Sequence, residues 1–184
     1  MHNVNILGSG YTGIYFGSSN LENVVIESSF ICHSATFGIK VASSHIALLN
    51  VSNCSILENR YGVNFDSLSG SISIEDTKIS NSTSHALYIN VPRSGGSTYY
   101  LTNSSLTHCK GLGIVINGYY GNLRLVVTGT FWMEQPENSL LRLECIPINS
   151  HLHKQHFFSE YRPSGVFWET VPALPLKTGK QYFQ

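Results

Sequence analysis

Residues 56–65 read ILENRYGVNF, and this pattern returns along most of the chain. An apolar residue opens it, a short polar stretch follows, and a glycine then leads into a strand with alternating apolar side chains. A small residue occupies the glycine position at 13, 38, 62, 86 and 113, so the intervals are 25, 24, 24 and 27 residues. Self-similarity at such a period is typical of a repeat architecture.

Each repeat has room for three short strands. The strand before the pattern alternates apolar and polar residues, as Ile72 and Ile74 show, and therefore points one face inward. A period near 24 residues is too short for a βαβ unit, but it suits one coil of a solenoid that rises about 4.8 Å, the distance between paired strands. The sequence predicts an all-β fold, a right-handed parallel β-helix with three short strands per coil and six to seven coils.

Equivalent residues of successive coils should stack into buried columns, because no coil can bury its apolar side alone. The first predicted column is Ile14, Ile39, Val63, Leu87 and Ile114. The second is Phe16, Val41, Phe65, Ile89 and Ile116, and the third is Ile6, Ile31, Ile56, Ile79 and Leu106.

The glycines before the third strand are predicted to be structural, and they are Gly13, Gly38, Gly62 and Gly113. A tight corner there leaves little room for a Cβ atom or needs a positive φ, and Ala86 shows that one coil tolerates a methyl group. A neighbouring turn column of Ser34, Asn59, Ser82 and Cys109 is expected to satisfy backbone groups of the turn.

The coils are predicted to fill residues 1–143, and residues 144–184 are read as a degenerate final coil followed by an irregular C-terminal segment. Ile6 falls in the column of the second strand, with no first strand before it. A solenoid normally carries a cap over its open end, so upstream β-helix coils are expected in a longer protein.

The stretches 56–65 and 106–116 resemble the parallel β-helix repeat of the pectin lyase-like superfamily. The coils, rich in Ser, Asn and Cys, are most similar to the β-helix repeats of large animal extracellular proteins such as protein bark beetle. This resemblance implies an extracellular location and a role in adhesion or at cell junctions. It also implies a competing function, because the superfamily includes polysaccharide lyases, hydrolases and epimerases.

Catalysis by such enzymes needs clustered acids, since glycoside hydrolysis uses two carboxylates flanking one bond and Ca²⁺ takes six or more oxygen ligands. The chain has only two aspartates, Asp66 and Asp76, and they follow different strands of the coil. No catalytic residue is therefore assigned. An enzyme function would require catalytic residues outside this segment.

Metal binding has one weak candidate, the pair His33 and Glu58, which share a column with Asn81 and His108. A metal site usually needs a third protein ligand, so a solvated polar stripe is the better interpretation and no metal or cofactor is expected. The cluster of His151, His153 and His156 is read as a surface loop for the same reason.

A binding face is predicted from Tyr15, Lys40, Asn64 and Tyr88, which share one outward column. Exposed tyrosines on a flat sheet stack on sugar rings or anchor a protein partner, so the expected partner is a carbohydrate or a protein. The net charge is zero and no basic run occurs, which excludes nucleic acid. No apolar run is long enough to span a membrane.

Two further features bear on location. Glycosylation sequons begin at Asn50, Asn53, Asn81 and Asn103, and they support secretion only weakly because Ser, Thr and Asn are abundant. The cysteines Cys32, Cys54, Cys109 and Cys145 lie in different columns, so they are predicted to be small buried residues rather than disulfides. Together these observations predict a structural and interaction module of an extracellular protein.

Overall fold

The computed structural model describes residues 1–17, 20–43, 45–92, 96–118, 123–133 and 141–145. The described residues form strands that all pair in parallel. The strands are β1 Asn5–Leu7, β2 Thr12–Phe16, β3 Asn20–Glu27, β4 Phe30–Cys32, β5 Phe37–Ala42, β6 His45–Ser52, β7 Ser55–Leu57, β8 Tyr61–Asp66, β9 Ser69–Glu75, β10 Lys78–Ser80, β11 Leu87–Val91, β12 Ser97–Thr102, β13 Ser105–Thr107, β14 Ile114–Gly118, β15 Leu123–Thr128, β16 Phe131–Met133 and β17 Leu141–Cys145.

Every third strand belongs to the same sheet, so the chain winds through three sheets in turn. Sheet I contains β1, β4, β7, β10, β13 and β16; sheet II contains β2, β5, β8, β11, β14 and β17; sheet III contains β3, β6, β9, β12 and β15. The all-β parallel solenoid with three strands per coil is therefore confirmed.

The predicted number of six to seven coils was too high. Two sheets have six strands and one has five, so each six-stranded sheet has four inner strands with a neighbour on both sides. About four turns are thus fully stacked. The last described coil, whose pattern in the sequence is degenerate, has all three strands, and β15, β16 and β17 each pair with a strand of the preceding coil. The proposed seventh coil and nearly all of the 144–184 segment lie outside the described residues.

The three predicted columns are confirmed by the strand register. Ile39 pairs with Val63, Val41 with Phe65, and Ile31 with Ile56, and all of these side chains are buried. The strands of sheet III add a fourth column of Val24, Leu49, Ile72 and Tyr99. One continuous apolar core consequently runs along the solenoid axis.

The corners after β1, β4, β7, β10 and β13 each place one residue in the left-handed region. The column of these residues is Gly8, His33, Glu58, Asn81 and His108, with φ between 55° and 71°. The corners between sheets III and I have a similar column of Asn3, Ser28, Asn53, Asp76, Asn103 and Gly129, with φ between 47° and 60°. The polar column that contains His33 and Glu58 therefore reflects a backbone requirement of the coil.

The glycine corner before sheet II has a different cause. A Cβ atom on Gly38 would lie 2.7 Å from the Gly62 carbonyl oxygen and 2.7 Å from Cγ2 of Ile56. Gly13 meets the equivalent atoms of Gly38 and Ile31 at the same distances. The positive-φ glycines of the described residues are elsewhere, at Gly8, Gly70 and Gly129. Lack of space, rather than a positive φ, thus explains the predicted glycine column.

Of the predicted turn column, Asn59 satisfies backbone groups as expected, whereas the buried Oγ atoms of Ser34 and Ser82 have no hydrogen-bond partner among the described residues. Asn59 is fully buried; its Oδ1 accepts the Ser34 N–H at 2.8 Å and its Nδ2 donates to the Ile31 carbonyl at 3.2 Å. At the corner between sheets III and I, Thr77 Oγ1 accepts the Cys54 N–H, and Ser104 Oγ accepts the Thr77 N–H. Small hydroxyls thereby link successive coils.

The N-terminal residues pair with β3 although no complete strand precedes β1. His2 forms a parallel bridge with Glu27, and the Asn3 N–H donates to the Glu27 carbonyl oxygen at 3.1 Å. Residues 1–3 therefore extend the column of sheet III by one bridge and its hydrogen bonds without forming a strand.

Candidate binding face on sheet II

The outward side chains of sheet II form three adjacent columns, because neighbouring strands are in register. The first column contains Phe37, Tyr61 and His85; the second contains Tyr15, Lys40, Asn64, Tyr88 and Val115; the third contains Asp66, Asn90 and Asn117. We call the described side chains of these three columns the sheet II face. The predicted residues Tyr15, Lys40, Asn64 and Tyr88 therefore share one column of this face.

Rings of neighbouring coils stack on each other in the first column. Phe37 and Tyr61 are stacked with centroids 5.1 Å apart, and His85 follows at 5.8 Å from Tyr61. Tyr88 contacts both of the latter rings, edge-on to Tyr61 at 6.2 Å and stacked on His85 at 6.3 Å. Each such contact contributes roughly 0.5–1.5 kcal/mol beyond buried area, so the cluster stabilises the coil stack.

Two cations border the aromatic cluster. Lys40 Nζ lies 5.0 Å from the centre of the Phe37 ring, and the Arg60 guanidinium lies 5.7 Å from the centre of the Tyr61 ring. Lys40 Nζ is also 3.8 Å from Asp66 Oδ2, so its charge is largely compensated. Because ring and cation contacts already occupy Phe37 and Tyr61, the second and third columns are left to contact a ligand.

The third column is polar and hydrogen-bonded. Asn90 Nδ2 donates to Asp66 Oδ1 at 3.0 Å, and Asn117 Nδ2 donates to the Tyr88 hydroxyl oxygen at 3.3 Å. His85 is held by the next coil, since its Nδ1 accepts the Leu112 N–H at 2.9 Å. These bonds fix the orientation of Asp66, His85 and Tyr88 within the face.

The four predicted residues differ in exposure. Tyr15 is 60% exposed in β2 at the end of the sheet, whereas Lys40 and Tyr88 are partly exposed. Asn64 lies between Lys40 and Tyr88 and is only 6% exposed, and its Oδ1 has no hydrogen-bond partner in the described part of the chain. Their role in binding stays a prediction.

Sequence reasoning missed Phe37, Tyr61, His85 and the third column. A signal was present, because positions 37, 61 and 85 are spaced by 24 residues, as are positions 66 and 90. Phe37 and Tyr61 precede the glycines of the corner directly, and without the structure this position could have belonged to the turn rather than to the sheet.

The model of the right handed beta helix region matches residues 1–126, which is more than half of the chain. The chain belongs to the right-handed β-helix family. No curated protein and no solved structure matched it in the corresponding searches. The family match agrees with the observed sheets, and it assigns no ligand or reaction to this β-helix.

The His33–Glu58 pair of this β-helix is an exposed ion pair. His33 Nδ1 lies 3.3 Å from Glu58 Oε2, and both side chains are about half exposed. Within the stretches that the structure describes, no three His, Cys, Asp or Glu side chains group as metal ligands do. Such a pair contributes roughly 0–1 kcal/mol and by itself gives an incomplete ligand set.

The two aspartates of the β-helix are far apart. Asp66 ends β8 and Asp76 follows β9, so the seven residues of β9 lie between them. At about 3.3 Å per residue, this strand is roughly 20 Å long. Paired glycosidase carboxyl groups lie about 5–9.5 Å apart. Asp66 is moreover engaged by Lys40 and Asn90. This pair does not form a glycosidase site.

The sequons and thiols of the β-helix lie mostly at corners. Asn53, Asn81 and Asn103 are exposed at left-handed corner positions, whereas Asn50 is partly buried on sheet III with its Oδ1 buried. Cys32 and Cys54 are buried free thiols, and Cys109 is buried as well. Burial, the largest cause, raises the pKa of the Cys54 thiol. The side chain of Cys145, the tyrosines 119 and 120, and His151, His153 and His156 lie outside the described residues.

Among the residues described here, no helix is long and apolar enough to cross a membrane.

Proposed function

We propose that this β-helix is a non-catalytic structural and interaction module that binds a glycan through its sheet II face. The observation that carries the proposal is the convergence of Tyr88, Lys40, Asp66 and Asn90 on one flat face, beside a stack of rings. Aromatic side chains next to amide and carboxylate groups suit sugars, which offer both apolar ring faces and hydroxyls.

The biological setting that we propose is an extracellular protein in adhesion or cell-junction organisation, with further coils upstream. Stacked coils give a rigid rod, and a rigid rod holds its binding face at a defined distance from an attachment point. The similarity of the coils to the repeats of large animal extracellular proteins supports this setting. Glycans on Asn53, Asn81 and Asn103 would be compatible with it, because these side chains are exposed at corners of the coil.

A glycan array and a polysaccharide-degradation screen on the full chain test the proposal. We expect binding without cleavage, and we expect Tyr88→Ala to weaken binding at least tenfold because it removes the ring beside Asn64. Tyr100→Ala is the matched control, since Tyr100 is an exposed tyrosine on sheet III. Binding of no glycan would reject the proposal.

The enzyme alternative has a distinct outcome in the same screen. Cleavage of a polysaccharide that is lost on chelation, or on mutating an acid, would overturn the non-catalytic assignment. The separation of Asp66 and Asp76 by the length of β9 argues against that outcome for the described coils.

A further inference from the structure

Asn64, like Asn50 on sheet III, has a buried side-chain amide oxygen. It alternates with the inward side chains Val63 and Phe65 and therefore points to the sheet II face, yet it is only 6% exposed. Its Oδ1 is buried and accepts no hydrogen bond from the residues that the structure describes. Buried polar groups of native proteins are normally paired, so this position needs an explanation.

The neighbours of Asn64 show what covers it. Lys40 precedes it and Tyr88 follows it in the same column of the face. Tyr88 is held by Asn117, whereas Lys40 has a long flexible stem whose ammonium lies near Phe37 and Asp66. A small movement of the Lys40 side chain therefore exposes the Asn64 amide while Tyr88 stays in place.

The charges around Asn64 indicate the class of ligand. Lys40 is compensated by Asp66 at 3.8 Å, so the position between them and Tyr88 has little net charge. A buried amide oxygen accepts from a hydroxyl, and the same hydroxyl can accept from the lysine ammonium. Uncharged sugars carry such hydroxyls next to apolar ring faces. An anionic ligand would instead have to compete with Asp66 for Lys40.

We propose that Asn64 is a specificity-determining residue of the sheet II face, where its side-chain amide accepts a hydrogen bond from a hydroxyl of an uncharged glycan that lies against Tyr88. Lys40 moves aside when the glycan binds. This inference rests on the glycan-binding function proposed above, and it adds the ligand class and the residue that selects it.

The test uses isothermal titration of the full chain with defined probes. The uncharged probes are cello-, manno-, xylo- and chito-oligosaccharides, and oligogalacturonate and heparin oligosaccharides are the charged ones. The variant is Asn64→Leu, which keeps the volume and removes the amide. The matched control is Asn50→Leu, because Asn50 on sheet III also has a buried, unpaired Oδ1 but has no ring or cation contact.

We expect at least one uncharged probe to bind with an affinity that changes little with salt. Asn64→Leu should weaken that binding at least tenfold, and Asn50→Leu should leave it unchanged, while both variants unfold at wild-type temperature or above. If Asn64→Leu fails to fold, Asn64→Ser is measured instead, and a loss of at least fivefold is expected because serine is too short to reach the hydroxyl.

Three results would contradict the inference in distinguishable ways. Wild-type affinity in Asn64→Leu, together with a loss in Tyr88→Ala, would overturn the role of Asn64 and leave the binding function standing. Binding of the charged probes alone would overturn the ligand class. Binding of no probe by the wild-type chain would overturn both the inference and the function on which it rests.

Discussion

Gly38 and Asn81 both lie at corners of the coil, but their corners place opposite demands on the residue. At Gly38 the backbone has no positive φ, and the neighbouring coil leaves no space for a Cβ atom. At Asn81 the φ is 56°, and the side chain points to solvent. The first corner therefore selects for size, whereas the second selects for residues that tolerate the left-handed conformation.

The difference teaches that a turn does not require glycine wherever φ is positive. Histidine, glutamate and asparagine occupy the left-handed positions after sheet I, although such residues bear a conformational cost of about 1–2 kcal/mol each. Glycine recurs at one corner position, in Gly13, Gly38 and Gly62, where a Cβ atom would lie 2.5–2.7 Å from a backbone carbonyl oxygen of the next coil. Backbone contact between coils is thus the stricter constraint.

Among the substitutions that test this comparison, Gly38→Ala should lower the free energy of unfolding most. The added methyl group would contact the Gly62 carbonyl and the Ile56 side chain, so we expect the free energy of unfolding to fall by about 2–3 kcal/mol. Denaturant unfolding measures the change. Gly10→Ala is the control, because a Cβ atom there meets nothing within 4 Å. An equal effect of the two substitutions would disprove the explanation by lack of space.

Asn81→Val should give the next largest effect. A β-branched residue disfavours a φ of 56°, so the free energy of unfolding should fall by about 1–2 kcal/mol. Asn81→Gly is the matched control and should be neutral or slightly stabilising. If valine and glycine behaved alike in denaturant unfolding, the corner would have to rearrange easily.

Tyr61→Leu compares how much the ring stack on sheet II contributes to stability with how much the corners contribute. It removes the stacked contact with Phe37 and the contacts with His85 and Tyr88, so we expect a loss of about 1 kcal/mol in the free energy of unfolding. Tyr15→Leu is the control, since Tyr15 is 60% exposed at the end of the sheet. A loss as large as that of Gly38→Ala would mean that the ring stack, rather than the corner, determines coil stability.

Cys54→Ser should have the smallest effect, because Ser29 and Ser104 occupy the same corner column and make the same bond to the carbonyl two residues earlier. Burial raises the pKa of the Cys54 thiol in the folded chain. When the pH exceeds the ordinary pKa of a thiol, the unfolded chain therefore loses the proton while the folded chain still holds it. The contribution of the protonated thiol to the free energy of unfolding is therefore fully present at lower pH and is lost as the pH rises through the alkaline range.

Thermal unfolding between about pH 8 and about pH 10, the range in which thiols titrate, measures this difference. Cys54→Ser should lose less stability over that range than the wild-type chain. Tyr99 and Cys32, whose pKa values are also raised by burial, remain in both proteins and contribute equally. Identical pH profiles would show that the Cys54 thiol does not contribute.

The interior of the coil was predictable because it depends on residue size and period alone. Ile39, Val63 and Leu87 repeat at the coil spacing, and parallel pairing in register follows once every coil must bury them. The glycine column was predictable as a position, but its cause was not. Only the distance from Gly38 to the Gly62 carbonyl separated lack of space from a positive φ.

The sequence by itself determined the parallel β-helix, its three strands per coil and the buried columns, since these follow from a repeated apolar pattern and the rise of one strand per coil. The tertiary structure decided which outward side chains meet. Phe37, Tyr61 and His85 become neighbours only when coils stack at strand spacing, and Asn64 becomes buried only because Lys40 and Tyr88 cover it. Outward positions are free to vary from coil to coil, so the 24-residue spacing can align them in a column but does not decide which contacts their side chains make.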